Sequence, residues 1–186
     1  MSVDIKNTSK RLPLINVVIQ ASPFDVAAET RSLETVLFET VSVDNRSAIG
    51  ALATFTGSVR GSETGVATAA DMTTYGDLLA LNIEHYPAMT QSTIEAIALK
   101  AAQRWSFLAC SVIHRVGRLP VGEPIVLVLV ASSHRKEAFA VCEYILDYLK
   151  TAAPFWKKAI FEHGEQWVAA KVSDTDALDK WTLPTP

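Results

Sequence analysis

A chain of 186 residues, 49% hydrophobic and 20% charged, has the composition of an ordinary globular protein and is long enough to bury a core without disulfides or a structural metal. Its net charge of −3 excludes a general attraction to nucleic acid or to an anionic membrane, so any anion-binding role must come from a local cluster of basic residues. The two cysteines, Cys110 and Cys142, form neither a CxxC pair nor a Cys/His metal spacing, and both lie in apolar runs that read as core. The first dozen residues hold no apolar signal-type segment, and the longest apolar run, 125–131, is too short to cross a bilayer. A reducing, cytoplasmic location is the resulting expectation.

One domain over 13–181 is expected, behind a flexible arm at 1–12 and ahead of a polar tail at 182–186. Leu14 to Gln20 is apolar and β-branched and reads as a strand. Ser22–Asp25 turns the chain into a helix, with Asp25 as N-cap and Val26, Thr30, Leu33, Val36 and Leu37 at helical spacing. Ile49 to Phe55 is a strand, ended by Gly57. The Gly-, Thr-, Ser- and Ala-rich stretch 58–77 reads as a long mobile loop. Leu78 to His85 is a strand closed by Tyr86-Pro87, and Thr90 caps a helix whose inner face carries Ile94, Ile97, Ala98, Ala101 and Trp105. Ala109–Val116 and Pro124–Ser132 are strands joined by a turn containing Gly117, Pro120 and Gly122.

Ser132 or Ser133 then caps a helix to about Thr151, with Phe139, Cys142, Leu146 and Leu149 on one stripe. Pro154 stops it. Trp156–Phe161 and Gln166–Lys171 form a hairpin around His163, Gly164 and Glu165. The elements do not alternate as regular βαβ units, which favours an α+β fold.

Three segments carry chemistry. In Tyr148–Lys158, Lys150 ends a helix and Lys157 and Lys158 open a strand, with Pro154 turning the chain between them. Lysines converging beside Phe155 and Trp156 have their neutral form favoured, as a general base or nucleophile requires. The same residues also suit a plain helix C-terminus and an edge strand. His134 and Arg135 follow a strand and open a helix, where free backbone N–H groups make an anion site. Two cations there oppose the helix dipole unless an anion is near. Ser58, Val59 and Arg60, flanked by Gly57 and Gly61, place one arginine where a strand meets the loop. That arginine suits a carboxylate or phosphate, or simply solvent. His85, beside Glu84, reads as a structural histidine.

Taken together, the segments FTGSVRG (55–61), IEHYPAMT (83–90), VIHRVGRLPVGEPIVLVLVASSHR (112–135), YLKTAAPFWKK (148–158) and WVAAKVSD (167–174) resemble the catalytic, large subunit of molybdopterin synthase. The resemblance runs from about Ile15 to Trp181. It implies an α+β fold of the α/β-hammerhead type, with a mixed and antiparallel sheet, packed helices and an additional small β subdomain. It implies a sulfurtransferase that converts cyclic pyranopterin monophosphate into molybdopterin. Sulfur comes from the C-terminal Gly-Gly thiocarboxylate of a small ubiquitin-like partner subunit. Two catalytic subunits pair as a homodimer, in a heterotetramer with two small subunits.

By the same resemblance Lys150 and Lys157 are catalytic, while Ser58, Val59, Arg60, His134, Arg135, Lys158 and Ala159 bind substrate. No metal and no cofactor is implied. The chain departs from the family pattern at Gly61 (usually Asn), at Ala152 (usually Arg), at Lys171 (usually Arg) and in a longer loop before Glu84. A binding module of the same fold with weak or no catalysis, docking the small subunit or a phosphorylated pterin, is the alternative.

Overall fold

The computed structural model describes residues 12–40, 48–61, 69–168 and 178–182. Two four-stranded sheets organise the chain. The first has the order β1-β4-β6-β2 and the second β5-β3-β7-β8. β1 (Leu14–Gln20) lies parallel to β4 (Ala109–Arg115), and β6 (Pro124–Ser132) is antiparallel to both β4 and β2 (Ala51–Ser58). The registers pair Gln20 with Arg115 and Ser58 with Pro124, so these four residues share one end of the sheet. Ala51 and Ala109 share the opposite end with Ser132 and Ala131.

The continuous apolar run of β6 has a direct cause. Val128 and Val130 face the core under α3 (Pro87–Arg104) and α4 (Arg135–Thr151), while Leu127 and Leu129 face α1 (Val26–Thr40). A strand covered on both faces gains from apolar residues at every position, not at alternate ones. α1 begins where Asp25 Oδ1 accepts a hydrogen bond from the Ala28 N–H at 2.8 Å, as expected of an N-cap. α3 begins earlier than the Thr90 cap expected from sequence. Tyr86 is the N-cap and Pro87 occupies the first turn, where its missing N–H costs nothing. Thr90 is instead buried, and its hydroxyl donates to the Pro154 carbonyl.

α4 also starts later than Ser132 or Ser133. His134 is its N-cap, with no side-chain capping bond, and Ser132 Oγ donates to Ser106 O. Its buried stripe is Ala138, Val141, Cys142, Ile145 and Leu149, joined by Tyr144. Phe139, expected on that stripe, lies off it and is 66% exposed. Spacing by three and four selects residue 138 as the member in line with 142, 145 and 149.

The second sheet holds two further differences. Gly117–Pro120, expected as turn, is the strand β5, paired with β3 (Leu78–His85). Part of the expected loop is the helix α2 (Ala69–Tyr75); residues 62–68 lie outside the described residues. The expected hairpin is present as β7 (Phe155–Phe161) and β8 (Gly164–Trp167), while Lys171 lies outside the described residues. A separate small core of Val59, Leu78, Leu81, Ile83, Leu119, Ala159 and Phe161 holds this subdomain together. The architecture is the α+β fold with a small β subdomain that the sequence led us to expect.

The C-terminal turn is clasped onto the helices. Trp181 stands edge-on to Trp105 and Tyr144, its Nε1 donates to Asp147 Oδ2 at 2.8 Å, and its carbonyl accepts from Arg104. Among the described residues no helix is long and apolar enough to cross a membrane.

Candidate functional site

β4 ends at Arg115 and the chain passes through Gly117 straight into β5, so the two sheets meet at the Arg115 end of the first. α4 leaves β6 at the opposite end, packs on β6 and β2, and therefore returns toward this junction. Lys150 lies in its last turn and is exposed. β7 then begins at Phe155, whose ring stacks on His114 of β4 with centroids 3.9 Å apart and planes 15° from parallel. Lys150, Lys157 and the Ser58–Arg60 segment thus all sit at the junction.

Strand alternation decides what each lysine does. Phe155, Lys157, Ala159 and Phe161 share one face of β7, and Ala159 and Phe161 are buried in the small core. Lys157 is half-buried on that inward face, close enough for its charge to act on His114. Lys158 points the other way. Its ammonium is 2.9 Å from Glu165 Oε1 and 4.6 Å from the Trp167 ring centroid, and the hydrogen bond to Glu165 raises its pKa above the ordinary value. The side chain of Ala159 is buried in the small core.

The Ser58–Arg60 segment is held by its middle residue. Val59 is 2% exposed; its N–H donates to Glu123 O at 2.9 Å and its carbonyl accepts from Gly122 N at 2.8 Å. With Val59 anchored inward, Ser58 and Arg60 on either side are exposed. Gly122 has φ +89°, a conformation that favours glycine, and the turn it makes presents the N–H that Val59 uses. The family departure at Gly61 has a local match: a Cβ there would lie 2.9 Å from Val121 Cγ1.

His134 and Arg135 are placed elsewhere. They are exposed at the start of α4 and line, with Lys136, Glu137 and Phe139, a shallow open depression. A helix rises ~1.5 Å per residue, which puts Arg135 roughly 22 Å from Lys150 along the axis. Within one chain, this pair and Lys150 therefore lie at opposite ends of α4.

His114 is the residue that sequence reading passed over. It is 6% exposed, its Nδ1 lies 2.8 Å from Arg115 O, and burial pushes its pKa down to about 4, with the Lys157 and His85 charges acting in the same direction. A carbonyl only accepts, so Nδ1 carries the proton. His85, half-buried at the end of β3, reaches the same Phe155 ring at 6.5 Å.

Neither cysteine is available for chemistry. Burial pushes the Cys110 thiol up to about 12 and the Cys142 thiol up to about 11, so both are protonated near neutrality. Among the described residues no group of three or more His, Cys, Asp or Glu is placed to hold a metal ion.

The geometry defines a class: a two-sheet α+β protein with Lys150, Lys157 and Arg60 near the junction of the sheets and both of its thiols buried. Comparison narrows the class. The family model described as MoaE protein matches residues 19–152. The molybdopterin synthase catalytic subunit of Cereibacter sphaeroides is 44% identical over 167 residues, covering 90% of this chain and 100% of that one. The solved molybdopterin biosynthesis MoaE protein of Burkholderia ambifaria superposes with a TM-score of 0.69 at 39% identity, over 91% of this chain and 99% of that one. The solved molybdopterin synthase of Staphylococcus aureus gives 0.65 at 28% identity, over 82% and 96%. The chain belongs to the MoaE protein family.

Proposed function

We propose that this chain is the catalytic subunit of a molybdopterin synthase, a sulfurtransferase of molybdenum cofactor biosynthesis working in the cytoplasm. Its substrate is cyclic pyranopterin monophosphate. Its sulfur donor is the C-terminal thiocarboxylate of a small ubiquitin-like subunit. The observation that carries the reading is the inward-facing Lys157 at the junction that also receives Lys150 and the Ser58–Arg60 segment, in a chain whose own thiols are buried. A relative named a catalytic subunit supports the need for a partner.

Both reactants are anions, and the pocket answers with fixed cations. Arg60 offers a planar fork to the substrate phosphate. Lys150 and Lys157 draw in the thiocarboxylate and serve as proton donors or acceptors as oxygen leaves the pterin and sulfur enters. His134 and Arg135 bind the anionic end of substrate in the pocket of a second copy, because α4 is too long to bring them to their own. The homodimer is then part of the site. Incubating the protein with the thiocarboxylated small subunit and cyclic pyranopterin monophosphate tests the reading. Formation of the dithiolene product supports it; a stable complex without product would reduce the chain to a docking module.

A further inference from the structure

Two basic residues are buried side by side at the end of β4, a strand whose one other polar member is Ser111, and neither has been given a task in the reaction. His114 is 6% and Arg115 5% exposed. Strand alternation sends them to opposite faces. His114 follows Cys110 and Val112 toward α3 and α4, while Arg115 shares the parity of Ala109 and Ile113.

Each is tied to a different half of the pocket. The His114 ring lies flat against Phe155, two residues before Lys157 on the same face of β7. Phe155 packs against both the large core and the small one, so this stack is where the second sheet is seated on the first. Arg115 NH1 donates to Glu123 Oε2 at 2.8 Å and to Pro124 O at 2.9 Å. Glu123 O in turn accepts from Val59 N, the anchor between Ser58 and Arg60. Nδ1–H of His114 donates to Arg115 O, which couples the two branches.

We propose that the consecutive pair His114–Arg115 is the positioning element of the pocket, with His114 setting the height of Lys157 through Phe155 and Arg115 setting the Ser58–Arg60 segment through Glu123. The proposal rests on the molybdopterin synthase reading. In this role both act through other residues, His114 through Phe155 and Arg115 through Glu123. A guanidinium with its Nε buried and unpartnered is a costly group to keep inside a protein, and holding a loop at a binding site is a reason to keep it.

The two branches make separable predictions. His114→Ala removes the stack and is expected to lower kcat about 10–100-fold with little change in KM for the pterin, as a misplaced acid–base group does. His114→Phe keeps a flat ring on Phe155 and is expected to recover kcat to within about threefold. Arg115→Met is expected to raise KM for the pterin about tenfold with kcat nearly kept, and Arg115→Lys to recover part of it. Should Arg115→Met not fold, Glu123→Ala breaks the same link from a partly exposed carboxylate and is expected to raise KM likewise.

Hydrogen exchange at the Val59 amide gives a readout that needs no turnover. It is expected to quicken in Arg115→Met and Glu123→Ala and to stay slow in His114→Ala. If wild type makes no product but Val59 exchange follows this pattern, the functional reading fails and the positioning stands. A folded His114→Ala with wild-type kcat, a His114→Phe as slow as His114→Ala, or slow Val59 exchange in both Arg115→Met and Glu123→Ala would overturn the proposal.

Discussion

Two adjacent lysines with opposite orientations carry much of the account. Lys157 faces the sheet junction, and Lys158 faces Glu165 and Trp167 on the outside. Replacing Lys150 or Lys157 by alanine should reduce sulfur transfer about 10²–10⁴-fold with the fold and small-subunit binding retained, since neither is a core residue. Lys158→Ala should cost far less, because its contacts are an exposed ion pair and a ring face. Steady-state rates with circular dichroism as the control decide this, and near wild-type turnover in either of the first two variants refutes their assignment.

His114 adds a pH dependence whose sign follows from burial. Above its ordinary pKa of 6.5 the ring is neutral in both folded and unfolded chains and contributes no pH dependence. As pH falls from 6.5 toward the folded value of about 4, only the unfolded chain takes up the proton, so folding stability declines. The full loss amounts to about 3 kcal/mol. Urea titrations of wild type and His114→Phe between pH 7 and about pH 4 should converge in slope at the top of the range and diverge toward the bottom. Parallel pH profiles would mean that His114 is not buried neutral.

The lysines were legible because they sit at element ends beside a proline and two aromatics. His114 was not, because its partner Phe155 arrives from another sheet and no periodicity within β4 points to it. The one available signal was a pair of basic residues closing an apolar strand.

Among the elements, α4 has the largest functional consequence. Its 17 residues separate the His134–Arg135 pair at its start from Lys150 in its last turn. If both act on one substrate, a second copy supplies one of them. Mixing Lys157→Ala with Arg135→Ala chains should therefore restore activity above either variant alone, because a mixed dimer contains one pocket with both residues intact. Activity that stays at the level of the separate variants would place the whole site in one chain, or remove Arg135 from it. Arg135→Ala alone should weaken substrate binding by roughly 1.5–3 kcal/mol, more than His134→Ala, since the guanidinium stays charged and takes a phosphate in a fork.

Most elements follow from pattern. Asp25 caps α1 as read, β6 carries the longest apolar run, and Pro154 separates α4 from β7. β5 escaped because four residues with a glycine at one end and a proline at the other have the composition of a turn, and only pairing with β3 makes them a strand. α2 escaped because seven residues leave little room for a periodic stripe. The α4 stripe was misplaced by one residue at its start, where Phe139 is large and apolar yet faces out. That mistake reflects a general asymmetry: exposed apolar residues are common, so size and hydrophobicity alone do not place a residue inside.

For the whole molecule, the joint between two sheets is the organising feature. Lys150, Lys157 and Arg60 come from separate elements to where the small β subdomain meets the large sheet, and under the proposed function they supply the positive field that two anionic reactants require in a net-acidic chain. The two-sheet arrangement was legible only through resemblance. The register between β3 and β7 joins residues as far apart as Leu78 and Phe161, and sequence periodicity says nothing about such distant pairing.

Both thiols of the chain are buried and protonated, and under the proposed function the transferred sulfur comes from the thiocarboxylate of the partner. Loading the small subunit with heavy-isotope sulfur in its thiocarboxylate, and reacting it with the pterin precursor on both the wild-type chain and a Cys110→Ala/Cys142→Ala variant, tests this most directly by mass spectrometry of the product. The account predicts that both proteins form the dithiolene and that its sulfur is fully heavy. Light sulfur in the product, or loss of transfer in a folded cysteine-free variant, would contradict it.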